Sequence, residues 1–137
     1  MSIVASLLLL VAGSPSVDLP VVDSFVALMK AGNLAEAKQL VNGDVALSSN
    51  LAQRQGRASI PFEEMLKVTS SCKLSSTSKY LLKGYDLDWN CGAKPDANGK
   101  MLRYMMSVYV TEDQGTVHLA NFMLGHFPDT DPVLSKE

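Results

Sequence analysis

Two short amphipathic helices, turned on glycines and running directly into a strand, constrain this chain more than any other feature. Residues 18–29 carry Val22, Phe25, Val26 and Met29 at i, i+3, i+4 and i+7, one apolar stripe at helical spacing. Pro20 suits the first turn, where its missing N–H is not needed, and Asp18 stands before it as a candidate N-cap. Gly32 can take the left-handed conformation that closes a helix. Asn33 then opens a second helix over 34–41, with Glu36 at capping-box spacing and Leu34, Ala37, Leu40 and Val41 as its stripe. Gly43 ends it, and Val45, Ala46 and Leu47 read as a strand.

Residues 48–58 are polar and read as a loop. Pro61 begins a third helix, with Glu63 and Glu64 in its first turn, where acids favour the helix dipole. Phe62, Met65, Leu66 and Val68 are its expected buried residues. Residues 69–78 are dominated by serine and threonine and read as an edge strand or an irregular extended segment. From Tyr80 onward the chain reads as strands. Tyr85, Leu87, Trp89 and Cys91 alternate with Asp86, Asp88 and Asn90, the pattern of a half-buried strand. Residues 92–100 form a turn region, with Asn98-Gly99 as a hairpin signal. A long strand over 101–111, a turn over 112–115 and a partner strand over 116–124 follow, then a polar tail over 125–137.

The last two strands are apolar on both faces. Leu102, Tyr104, Met106, Val108 and Val110 share one face, with Met105 and Tyr109 on the other. In the final strand Val117, Leu119 and Met123 oppose Ala120, Phe122 and Leu124. A strand apolar on both sides needs cover on both sides. Three helices cover one, so a second copy is expected on the other, a homodimer through the sheet.

With 137 residues the chain is long enough for one domain with a real core and too short for two. The formal net charge of −2, with both signs scattered, gives no basic stripe of the kind that binds nucleic acid. Residues 1–14 stand apart: an apolar run with four leucines, Leu7 to Leu10, then Ala12, Gly13 and Ser14. This reads as a secretory signal peptide cleaved near Gly13 or Ser14, although no Lys or Arg precedes the run. The alternatives are a first strand or helix of the mature fold, or a membrane anchor. The segment is shorter than the ~20 apolar residues of a stable span. The expected organisation is a signal over 1–14, one domain over 15–126 and a tail over 127–137. Cys72 and Cys91 suit one disulfide in a secreted or periplasmic protein. The alternative is a pair of free thiols in a cytoplasmic core. Their spacing fits neither a redox CxxC motif nor a zinc site, and no metal is expected.

The order helix, helix, strand, helix, then long antiparallel strands resembles the nuclear transport factor 2-like superfamily, with its SnoaL-like and ketosteroid isomerase-like members. The matching residues are Gly32-Asn33 between the first helices, Gly43-Asp44-Val45 entering the strand and Gly56-Arg57 before the third helix. Asp113-Gln114-Gly115-Thr116-Val117 resembles the family's final turn. The likeness runs from about residue 18 to 125. It implies an α+β fold in which three N-terminal helices pack in a curved mixed or antiparallel sheet, a cystatin-like cone with a pocket at its open end. It also implies dimers through the sheet, and is compatible with a Cys72–Cys91 bond.

Enzymes of the family place a carboxylate or His base inside the cone, with Tyr or Asp donors to a developing oxyanion, as in ketosteroid isomerase. His118 is the candidate base here, since His titrates near neutrality; a lone His beside apolar residues is more often a satisfied core or rim residue. Tyr104, Asn121 and Trp89 are the further candidates for ligand contact, with packing as the plainer reading for Tyr104 and Trp89 and a hydrogen bond to a neighbouring strand as the alternative for Asn121. Asp86 and Asp88 read as solvated surface charge. Met101, Met105, Met106 and Met123 suit an adaptable apolar lining or ordinary core. No phosphate loop or nucleophile elbow is present, and no cofactor is expected. The leading expectation is an exported domain that binds a small apolar molecule or a protein in a cone-shaped pocket. The alternatives are a cofactor-free isomerase or dehydratase, and an assembly role through the sheet face.

Overall fold

A computed structural model describes residues 19–80 and 84–127. The expected signal segment, the candidate cap Asp18 and the tail beyond Phe127 lie outside the described residues. The fold is α+β. In chain order its elements are α1 (Pro20–Ala31), α2 (Leu34–Leu40), β1 (Val45–Ala46), α3 (Ser49–Gln55), β2 (Ser59–Ile60), α4 (Phe62–Thr69), β3 (Lys73–Tyr80), β4 (Gly84–Pro95), β5 (Met101–Asp113) and β6 (Thr116–Phe127). The last four strands form an antiparallel sheet in that order, and β1 pairs with β2.

The stripe of α1 is buried as its spacing predicts, through Val22, Phe25, Val26 and Met29. Gly32 takes φ 80°, so its amide and that of Asn33 turn back to the carbonyls of Met29 and Leu28 at 3.2 and 2.9 Å. The expected capping box does not form: Asn33 holds the N-cap position, but its side chain makes no cap hydrogen bond. α2 buries only Ala37. It ends at Leu40, and Val41 becomes a parallel bridge to Val117 instead of a last helical residue. Asn42 donates its amide to the Val117 carbonyl at 2.9 Å, fixing this crossing on the β6 edge.

The polar run 48–58 corrects the loop reading, because it holds a fourth helix. Ser48 caps α3 by accepting the Leu51 amide at 3.3 Å, and Gly56 at φ 72° closes it. Leu51 is the one buried residue of α3, so no stripe marks it in the sequence. Arg57, just beyond, grips Glu64 of α4 through both guanidinium nitrogens, one contact at 3.0 Å. α4 buries Phe62, Met65 and Thr69, while Leu66 and Val68 only lean on the core. The Thr69 hydroxyl donates to the Met65 carbonyl at 3.0 Å, which satisfies it inside the core.

Cys72 and Cys91 stand at disulfide distance, their Cα atoms 4.4 Å apart, the pairing expected of one disulfide. The bond ties the chain between α4 and β3 to β4. β4 runs on through Pro95, past the expected turn start, by way of a bulge between Asn90 and Ala93. Asp96 then closes the hairpin by accepting the amides of Asn98 and Lys100 at 2.8 and 2.9 Å.

The two-faced reading of β6 also needs correction. Ser107 pairs with Met123 but Tyr109 pairs with Ala120, so Asn121 and Phe122 together face Val108 alone. Asn121 absorbs this bulge at φ 54°. Before it, Val117 and Leu119 point inward and are fully buried; after it, Phe122 is buried and Met123 is 37% exposed. Val117 and Leu119 before the bulge and Phe122 and Leu124 after it therefore reach the same core, while Ala120 and Met123 stay on the outer face. On β5, Met105 and Tyr109 remain half-buried on the outer face, opposite in sense to buried Met106, Val108 and Val110. β6 also extends to Phe127, three residues into the expected tail.

Candidate functional site: a cleft at the β6 edge

The four residues singled out for ligand contact do not converge. Trp89 is 4% exposed and belongs to the core, packed in a cluster that the Cys91 side chain borders. Tyr104 is half-buried on the inner face of the sheet, with the Lys94 ammonium 4.9 Å from its ring centroid. His118 sits on the outer face, between buried Val117 and Leu119 and in register with Thr111. The bulge separates it from Phe122 and Leu124, whose face it was expected to share. Asn121 is exposed at the bulge itself, and its backbone role accounts for its presence there. Asp86 and Asp88 lie half-buried on the outer face, in register with Tyr109 and Ser107. The side chain of His126 lies outside the described residues.

The structure instead opens a cleft that the loop reading of 48–58 hid. It has a volume of about 410 Å³ and is lined by Ser48, Asn50, Gln53, Arg54, Met123 and Leu124. Its origin is local. Leu47 bridges to Phe122, and the Ser48 amide donates to the Phe122 carbonyl at 2.9 Å. The chain then leaves the sheet to form α3, so the cover of the β6 edge stops at Phe122. Helical spacing puts Leu51 toward the core and Asn50, Gln53 and Arg54 toward the opened edge. In an antiparallel strand the amide and carbonyl of one residue point the same way, and alternate residues repeat that direction. Leu124 therefore presents its backbone groups as Phe122 does, toward the cleft that it lines. The signal for α3 was available in Ser48 and Gly56, a cap and a stop flanking seven residues.

A second, apolar cavity of about 70 Å³ lies on the other flank of α3, among Leu47, Leu51, Ile60, Val68, Phe122 and Leu124. The Arg57–Glu64 pair stands at its rim. Leu124 is common to both spaces. A third depression, about 240 Å³, lies between the end of α1 and β3, against Lys30, Leu74, Ser75 and Thr77.

Three groups have shifted titrations. Burial raises the Tyr104 phenol, and the Arg54 guanidinium opposes this, which places Arg54 within electrostatic reach of the ring. The Tyr85 hydroxyl donates to Asp23 at 2.5 Å, and this bond, reinforced by burial, pushes the phenol up to about 12. That contact ties β4 to α1. Arg57 is raised by its hydrogen bond to Glu64. Among the described residues, no group of three His, Cys, Asp or Glu side chains is placed to hold a metal ion. No helix among them is long and apolar enough to cross a membrane.

No protein-family model matches the chain, and no curated protein or solved structure matches it.

Proposed function

We propose that this chain is an exported, non-catalytic domain of the nuclear transport factor 2-like kind that binds a small molecule at the β6 edge. The observation that carries the reading is the cleft of about 410 Å³, within the usual size range of small-molecule sites, with polar side chains from α3 on one wall and Met123 and Leu124 on the other. Helices that precede four antiparallel strands support the family likeness. The Cys72–Cys91 bond supports an oxidising compartment. The proton-transfer alternative needs two polar groups on one cavity, and His118 and Tyr104 lie on opposite faces of the sheet. The assembly alternative retains Met105, Tyr109 and Met123 on the outer face as its support; a dimer mass in sedimentation at micromolar concentration would favour it.

Titration of the disulfide-bonded, isotope-labelled chain with 1-octanol, followed by amide shifts, tests the reading. Saturable movement of Asn50, Gln53, Arg54, Met123 and Leu124, with Trp89 and His118 still, is the expected result. Movement confined to other regions would place binding elsewhere and refute the cleft.

A further inference from the structure

The charge around the cleft runs against that of the whole chain, whose formal balance is −2. Arg54 lines the cleft, and Lys94 sits over Tyr104. Among the described residues neither cation has a carboxylate partner. Glu64 is held by Arg57 across α3, and Asp96 accepts two backbone amides of its own hairpin. Lys94 rests on an aromatic face, where a cation is held without neutralising its charge. The result is a cleft whose one charged lining side chain is the Arg54 guanidinium.

A guanidinium presents its donors as a planar fork that matches a carboxylate, and does so most strongly where water is partly excluded. Met123 and Leu124 add apolar surface to the lining of the same cleft. Asn50, Gln53 and Ser48 add neutral donors and acceptors. A simple inorganic anion would leave the apolar wall unused, and a hydrocarbon would leave Arg54 unpaired.

We propose, resting on the cleft reading above, that the occupant is a monomeric amphiphile with a carboxylate head and a short aliphatic chain. Arg54 binds the head, Met123 and Leu124 contact the chain, and Lys94 supplies a second, longer-range attraction.

Calorimetric titration of the disulfide-bonded chain with octanoate, 1-octanol and octyltrimethylammonium tests this. Octanoate binds more tightly than 1-octanol, and octyltrimethylammonium binds most weakly. Arg54→Gln lowers the octanoate affinity about tenfold or more, the loss of one charge-assisted hydrogen-bonded contact, and lowers that of 1-octanol by a much smaller factor. Arg54→Lys recovers part of the loss by restoring the charge without the fork. Arg54 is exposed, so the variants keep the fold, which an unchanged unfolding temperature verifies. Equal binding of octanoate and octyltrimethylammonium, or an octanoate affinity that Arg54→Gln does not change, would overturn the anionic head while leaving the cleft as a binding site. No binding of any of the three would overturn the cleft reading itself, and the anionic ligand with it.

Discussion

The two edges of the four-stranded sheet are finished in different ways. β3, at one edge, is held from its first residues by a covalent bond: Cys72 immediately before it is joined to Cys91 on β4. β6, at the other, is covered by non-covalent bridges from Val41 and Leu47 that end at Phe122. A covalent staple fixes an edge strand that is rich in serine and threonine and has little apolar side chain to pack. A bulge and a departing helix leave the opposite edge partly open, and the cleft forms there. The reinforced edge is stapled, and the open edge is the one that carries the cleft.

The largest effect belongs to the stapled side. Gly84 begins β4 at φ 150°, and a Cβ there would lie 2.0 Å from the Val110 carbonyl oxygen. The clash is with backbone and has no side chain to swing aside. Gly84→Ala therefore costs about 4 kcal/mol, at the top of the range for single substitutions, and denaturant unfolding measures it. Next comes the staple itself. The double variant Cys72→Ser, Cys91→Ser loses about 3 kcal/mol, from the freed loop closure. Hydrogen exchange should accelerate first in β3, while amides at the cleft keep their protection; equal acceleration at both edges would erase the contrast.

The β6 side responds more gently. Asn121→Val forces a β-branched residue into the left-handed region and costs about 1–2 kcal/mol, whereas Asn121→Gly stays close to wild type. The valine variant also weakens 1-octanol binding, because the bulge sets the direction of the β6 residues that follow it.

The smallest effect is a pH dependence at the α1–β4 contact. Folding raises the Tyr85 phenol from its ordinary 10.0 to about 12. The folded state holds this proton more tightly, so the contribution is complete below pH 10 and is lost as pH rises through 10 toward 12. Tyr85→Phe costs about 1 kcal/mol at neutral pH, one hydrogen bond. It also flattens the fall in stability over that window, which unfolding at several pH values reads directly.

Much of the architecture was legible because it rests on periodicity. The α1 stripe, the alternation of Leu87 and Trp89 with Asp86 and Asp88, and the Asn98-Gly99 turn each carry their own local signal. The pairing of Cys72 with Cys91 was legible from cysteine count and spacing, and the two stand at disulfide distance. The cleft was not legible, for two physical reasons. α3 buries a single side chain, Leu51, so its helix is set by caps at Ser48 and Gly56 and by no apolar stripe. The β6 bulge breaks strict alternation, so a strand with one buried face reads in sequence as a strand with two. His118 was accordingly placed with Phe122, although one inserted residue puts them on opposite sides.

The position of Phe122 is the most direct test, since the inward turn of β6, the end of its cover and the cleft beyond all depend on it. In the nuclear Overhauser spectrum of the disulfide-bonded chain, the Phe122 ring protons should meet the methyls of Leu47, Leu51 and Ile60, the residues that share its apolar cavity. Contacts from the Phe122 ring to Tyr109 and Met105 instead would mean an unbroken strand with Phe122 on the outer face, and would contradict both the bulge and the site built on it.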